Sequence, residues 1–418
     1  MRRTPIAHVI FPRFDVVRPV PEFAWEAARA LLETDDLDVE VLMPVPARVL
    51  RRAQSLLRNF RGAAHWPAEL DERLRALDPR PTLVPFVPVP GRSIEAATAA
   101  IAAHMVARPR AGRPRSIQGS FLDEGGYAAA MIGRVVGCPA IVAAHATDVR
   151  AARGHLSGNA KRHRRQQRAL EALRHADRVV AVCHHLAQEL AILGARADVL
   201  PFTARASHFT GIIGQPARKA QGPQGRAHGH DAEVLFVGRV SREKGVDTLL
   251  NAFARTGVRR QRGMKLRLVG PSADGFDVRA LAEHLGVADG VIIHGEVPQD
   301  QLPALYANAA CLVLPSRAEG LPCVVAEALL MGLPVVASDV GGMRELVDDQ
   351  VGRLVPNDAP ERLAERFAIA IDEVVMAAEA GAYDPAVLRA RALPTTWEHS
   401  GPKLAELTRE THAQARSS

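Results

Sequence analysis

Three short segments in the second half of the chain carry side chains suited to a phosphorylated, polyhydroxylated ligand. The first, Gly238-Arg239-Val240-Ser241-Arg242-Glu243-Lys244-Gly245, follows an apolar run and precedes a helical pattern that starts near Val246. Glycine at both ends lets the backbone approach a ligand closely, and a helix N-terminus favours anions through its amides and dipole. Arg239 and Lys244, five apart across the turn, are placed to converge on one diphosphate, Arg as a planar fork and Lys as a point charge. On composition alone the run reads equally as a solvated charged loop.

The second segment, Pro315-Ser316-Arg317-Ala318-Glu319-Gly320-Leu321-Pro322, runs into a helix over Cys323–Met331 that contains Glu327. Pro322 suits the first helical position, so the amides of Gly320, Leu321 and Cys323 are expected at the helix N-terminus. Glu319 on the loop can accept from hydroxyls in front of that terminus, and Glu327 can reach a second pair. Acidic residues also gather in first helical turns for dipole reasons alone. The third segment, Asp339-Val340-Gly341-Gly342-Met343-Arg344-Glu345, offers a glycine pair for close approach to phosphate. All three follow strands of one expected sheet. Together they supply cations and amides for a diphosphate and carboxylates for two sugar rings, the inventory a nucleotide-sugar donor requires.

The elements that must position these residues are strands alternating with helices. Expected strands are Ile6–Phe11, Val39–Val45, Ala140–Ala144 and Arg178–Val182, with a helix over Glu22–Glu33. Residues 213–230 are rich in Gly, Pro, Gln and basic residues and read as a linker or a flexible surface loop. The alternation then restarts with VLFVG (234–238), LRLVG (266–270), VIIHG (291–295), CLVLPS (311–316) and PVVASD (334–339). Near-continuous apolar strands suit parallel sheets covered on both faces, which bind ligands beyond their carboxyl ends.

The 418 residues are 47% apolar and 24% charged, which excludes a disordered or fibrous chain and predicts two or three domains. A net charge of +7 permits a polyanionic or anionic-membrane partner, while only 4% aromatic residues argues against base-stacking platforms for nucleic acid. Cys138, Cys183, Cys311 and Cys323 show no metal-ligand spacing and are expected as buried small residues in a reducing compartment. Neither a signal peptide nor a membrane span is legible, so the chain is expected to be cytoplasmic.

GRVSREKGVDTLLNAF and PSRAEGLPCVVAEALLMGLPVVASDVGGMRELV, within Val234–Leu354, resemble the C-terminal domain of family-four retaining glycosyltransferases of the GT-B fold. The resemblance includes that family's glutamate pair with seven residues between, here Glu319 and Glu327. DEGGYAAAMIGRVVGCPAIVAAHATDV and ALRHADRVVAVCHHLAQEL look like its acceptor domain, and PVP (44–46) with DEGGYAAA leans towards the teichuronic-acid-type polysaccharide branch.

The resemblance implies an α/β chain of two Rossmann-like doubly wound domains facing a central cleft. The expected division is an acceptor domain over 1–210, a linker over 211–230, a donor domain over 231–385 and a helix returning to the first domain over 386–418. It implies that Arg239 and Lys244 hold the diphosphate, Glu319 the transferred sugar and Glu327 the ribose. Backbone near Glu296 and Val297 would read the base, with Gly238, Gly320, Leu321, Cys323, Gly341 and Gly342 lining the donor. His145, in HATD (145–148), matches the family's His-Gly-x-Asp loop.

The sequence departs from the family at Pro12-Arg13-Phe14-Asp15, which lacks the expected glycine, and at Ala146. It departs again at Pro201-Phe202-Thr203-Ala204-Arg205 and at Pro322. The implied reaction moves a hexosyl unit from a UDP- or GDP-linked sugar to a glycan or lipid-linked acceptor in surface polysaccharide or glycoconjugate synthesis, with no cofactor, no metal and no nucleic-acid partner. Rival readings are a non-catalytic GT-B partner subunit and a sugar-nucleotide epimerase. The basic stretches ARPRAGRPR (107–115) and KRHRRQQR (161–168) read either as solvated faces or as peripheral docking to the inner face of an anionic membrane; Lys161, Arg165 and Arg168 share one helical face. Trp397 is expected to pack rather than catalyse, and the terminal HAQARSS to fray.

Overall fold

A computed structural model describes residues 4–10, 22–46, 81–88, 92–154, 160–210, 233–273, 275–357 and 359–417. Phe11, the Pro12–Asp15 segment and the expected linker over 211–230 lie outside these residues. The chain divides into two compact units, residues 1–200 with 400–418, and residues 201–399.

Among the described residues the first unit holds seven strands: β1 (Thr4–Val9), β2 (Leu37–Pro46), β3 (Thr82–Phe86), β4 (Ile117–Ser120), β5 (Ala140–Ala144), β6 (Arg178–Ala181) and β7 (Asp198–Val199). They pair in parallel in the order β3-β2-β1-β4-β5-β6-β7. β1 is buried on both faces, with Ile6, Ala7, His8 and Val9 all enclosed, and His8 reaches the Ala24 carbonyl of the helix Glu22–Leu32. Three of these strands, β3, β4 and β7, were not anticipated.

The last helix, Trp397–Ser417, runs through the expected frayed tail as far as Ser417. From Ser400 onward it belongs to this unit, where Gln118 Nε2 of β4 donates to Thr408 Oγ1 at 2.5 Å and Arg409 pairs with Asp36 at 2.7 Å. Those contacts anchor the helix just before the expected tail.

The basic helix Ala160–His175 corrects another expectation. Arg165 pairs with the buried Asp123, and Arg168, only 9% exposed, donates through Nε to the Asp123 carbonyl at 2.8 Å and through Nη1 to Glu95 at 3.1 Å. The shared face therefore turns inward from Arg165; Lys161, Arg162 and His163 in the first turn are exposed. In the other basic stretch, Arg108 forms a bidentate pair with Glu40 at 2.5 and 2.7 Å.

In the second unit the described strands are β8 (Glu233–Val237), β9 (Lys265–Val269), β10 (Val291–Gly295), β11 (Ala309–Leu314), β12 (Val335–Ser338) and β13 (Gly352–Val355). They form a parallel sheet in the order β10-β9-β8-β11-β12-β13. Val234, Leu235, Phe236, Leu312 and Val313 are buried at its centre. The divergent segment Pro201–Arg205 is held here: Phe202 stacks on Trp397 at 4.3 Å between centroids, and Thr203 bonds the carbonyl of Thr395. Of the cysteines, Cys183 and Cys311 are buried and Cys138 is half-buried, while Cys323 is exposed, against expectation, because it opens a helix instead of filling a core.

Candidate active site

In the second sheet the strand order reverses between β8 and β11, which makes their carboxyl ends the topological switch point where open α/β sheets receive ligands. The loops leaving these two strands, 238–245 and 315–322, are the two sequence segments richest in candidate side chains. Gly245 is left-handed at φ 70°, and a Cβ there would sit 1.9 Å from the Pro315 carbonyl oxygen. Only glycine permits that approach, so the two loops are packed directly on each other. Arg317 completes the join: its amide donates to Glu243 O at 3.0 Å and its guanidinium grips Asp247 at 2.8 and 2.9 Å.

The approach brings Lys244 Nζ to 2.7 Å from Glu319 Oε1. Ser316 Oγ, fully buried, donates to the same oxygen at 2.6 Å. Glu319 is 9% exposed at its side chain and Lys244 30%, so the ion pair lies at the rim of the loops with its acid the more enclosed partner. Arg239 is exposed and has no ion-pair partner among the described residues. Lys244, expected at the diphosphate, thus meets Glu319, the carboxylate expected at the transferred sugar.

Beyond the loop the helix begins at Cys323, as expected, and Pro322 is its N-cap in an extended conformation (φ −76°, ψ 119°) instead of its first helical residue. Gly320 is half-buried and Leu321 buried in front of it. Glu327, 6% exposed, accepts from the hydroxyl of Tyr306 at 2.7 Å. Burial, and then the Glu327 carboxylate beside it, push the Tyr306 hydroxyl well above the usual phenol range, which keeps it a donor.

The glycine pair has a packing role. Gly341 is left-handed at φ 59°, and a Cβ on it would meet the Glu319 carbonyl oxygen at 2.1 Å. The Gly342 amide donates to Gly320 O at 2.8 Å, so that amide holds the Glu319 loop instead of standing open to phosphate. The pair serves the site by fixing the backbone on either side of Glu319. Val297 is buried just past β10, beside the exposed Glu296, at the carboxyl end of the same sheet.

His145 belongs to the first unit, at the end of β5, where it caps the helix Ala146–Ala152. Asp148 accepts from the His145 amide at 2.8 Å and from the Leu122 amide, and the His145 side chain accepts from the backbone of the first helical turn. An imidazole that accepts is neutral at that nitrogen, and burial lowers its pKa to about 3. Burial, and then the neighbouring Asp123, raise the Asp148 carboxyl well above the usual range. The His145 ring stacks on Phe121 at 4.1 Å, and Phe121 alone among the described non-glycine residues has a positive φ, 68°.

Sequence reasoning missed Tyr306, Ser316, Phe121 and Asp123. Ser316 sits inside a motif already singled out and could have been found there; Tyr306 lies on an apolar helical pattern with nothing local to mark it.

Comparison with known proteins places this geometry. The family profile described as Glycosyl transferases group 1 matches residues 218–383. A D-inositol 3-phosphate glycosyltransferase of Segniliparus rotundus is 42% identical over 140 residues, which are 32% of this chain and 31% of that protein. A putative teichuronic acid biosynthesis glycosyltransferase, TuaC of Bacillus subtilis, is 31% identical over 256 residues, 60% of each chain. The chain therefore spans between about a third and three-fifths of these relatives' lengths. In fold it is similar to a sucrose-phosphate synthase from Thermosynechococcus elongatus, with a TM-score of 0.71 at 18% identity over 99% of this chain and 100% of that one. Two parallel sheets of the order found here and the likeness to that synthase give the chain the GT-B fold, and within it residues 218–383 of the second unit match the group 1 glycosyltransferases.

Proposed function

We propose that the protein is a retaining glycosyltransferase that moves a hexosyl unit from a UDP- or GDP-linked sugar to a hydroxyl of a glycan or lipid-linked acceptor. The observation that carries this reading is the Lys244–Glu319 pair at the switch point of the second sheet, 2.7 Å apart, with Glu327 on the helix that follows. Cation and carboxylate at one rim match the two ends of an activated sugar, the diphosphate and the hydroxylated ring.

In this reading Lys244 leaves Glu319 for the donor phosphates, where Arg239 joins it. Glu319 accepts hydrogen bonds from the sugar, Glu327 from the ribose, and backbone near Val297 meets the base. The acceptor oxygen forms its bond to the anomeric carbon as the bond to the diphosphate breaks, on the face the diphosphate vacates. The acceptor proton passes to a departing diphosphate oxygen. Positive charge already in place at the developing anion is the main source of acceleration. His145, neutral and half-buried, would contribute a hydrogen bond to the donor sugar and not a charge. The relatives' names support a role in glycoconjugate or polysaccharide synthesis. Peripheral docking to an anionic membrane would rest on exposed basic residues such as Lys161 and Arg162, at ~1 kcal/mol each.

A thermal-shift screen with UDP, GDP and their hexose conjugates tests the reading, since a ligand at about 100 times its Kd stabilises by roughly 2.7 kcal/mol. A selective shift with one nucleotide series, followed by acceptor-dependent release of that nucleotide, is expected. No shift with either series would sink it.

A further inference from the structure

Tyr306 is 1% exposed and comes from the helix Leu302–Ala307 that leads into β11. Its hydroxyl donates to Glu327 Oε2 at 2.7 Å, and its ring meets the buried Phe209 ring edge-on at 6.2 Å between centroids. Ring packing fixes where the hydroxyl lies, and the hydroxyl in turn fixes the plane of the carboxylate. An ionised carboxylate has about four acceptor sites, enough to serve the tyrosine and two adjacent hydroxyls together. Recognition of a diol by two bonds from one carboxylate depends on that plane being held within about 10–20°.

We propose that Tyr306 is a positioning residue for nucleoside recognition: it orients Glu327 for the ribose hydroxyl pair, and so makes the site select ribonucleotides over 2′-deoxyribonucleotides. The inference rests on the donor reading above, and deepens it by assigning the sugar selectivity of the nucleotide half to a buried hydrogen bond that touches no ligand. Substituting Tyr306→Phe deletes the hydroxyl and leaves the ring against Phe209.

The test measures calorimetric Kd values of the full chain for UDP, GDP and their 2′-deoxy counterparts, in wild type, Y306F, E327Q and the double variant. Wild type should prefer the ribo form by about tenfold or more, the effect of one charge-assisted bond. Y306F should weaken the ribo form alone, with deoxy binding unchanged, and bring the ratio to about threefold or less. In the double variant the ratio should equal that of E327Q, because the hydroxyl acts only through the carboxylate. Equal weakening of both forms by Y306F would make the bond merely structural and overturn the proposal. So would ratio losses that multiply in the double variant. If Y306F fails to fold because it strands a buried charge, the double variant lacks that charge: a ratio equal to that of E327Q upholds the proposal, and a lower one overturns it. Wild type that binds neither UDP nor GDP would defeat the donor reading itself, before any substitution is made.

Discussion

Lys244→Ala and Arg239→Ala should separate two quantities that a single loss of activity would merge. Both cations are assigned to the leaving diphosphate, and a charge-assisted hydrogen bond contributes about 1.5–3 kcal/mol, so each substitution should lower kcat/KM by about 10- to 150-fold. The double variant should lose about 3–6 kcal/mol if the two act independently on one group. Stability should divide them. Lys244 donates to Glu319, whose side chain is only 9% exposed, and Ser316 alone then holds that oxygen. A poorly satisfied enclosed acceptor costs about 1–3 kcal/mol, here towards the lower end because Lys244 is itself 30% exposed. In a unit of this size that lowers Tm by about 2–8 °C. Arg239 is exposed and unpaired among the described residues, so its loss should move stability by no more than about 0.5 kcal/mol. The assays are nucleotide release from the donor series found in the shift screen, and calorimetric Tm. A double variant turning over within about threefold of wild type would refute the leaving-group argument. An unchanged Tm for Lys244→Ala would refute the ion pair.

Gly245→Ala forces a side chain into left-handed backbone against Pro315, and should cost at least about 1–3 kcal/mol with a matching fall in Tm; wild-type Tm would mean the two loops are not packed as described. His8 is buried with Nε2 on the Ala24 carbonyl, and burial lowers its pKa from 6.5 to about 4. The unfolded chain therefore takes up a proton between those values that the native chain refuses. The resulting stabilisation is full above pH 6.5 and is lost as pH falls to about 4, on the order of 3 kcal/mol in all. His8→Gln should show a shallower fall of Tm between pH 7 and pH 4.5, and an identical slope would contradict the assignment. Arg168→Ala should lower Tm through its lost bonds to Asp123 and Glu95, by about 1–3 kcal/mol, without weakening co-sedimentation with anionic vesicles; the reverse pattern would return this residue to the surface.

Strands β5, β8, β11 and β12 were legible because each is an apolar run closed by glycine, proline, serine or a polar residue, and burial on both faces demands that composition. β4 was not: Ile117–Ser120 carries a single large apolar residue, and its burial comes from neighbours far along the chain. β3 contains Pro85, which argues locally against a strand and is tolerated at the edge of the sheet. In the site, Glu319, Glu327 and Lys244 could be named from the motif, but not who meets whom. Lys244 and Glu319 lie 75 positions apart, and their pairing depends on Gly245 closing onto Pro315. Arg168 shows the same limit: a basic run looks alike whether solvent or Asp123, 45 positions away, is its neighbour.

The contact between Lys244 and Glu319 also bears on how the site empties. Two groups assigned to opposite ends of one substrate are latched to each other when nothing is bound. On the proposed roles, an arriving donor would have to unfasten them, so its affinity would be less than its own contacts give. Once the departing nucleotide no longer carried a sugar, Glu319 would recapture the ammonium and pull it off the phosphates. Such a latch would work against retention of the spent nucleotide, and favour turnover over tight storage.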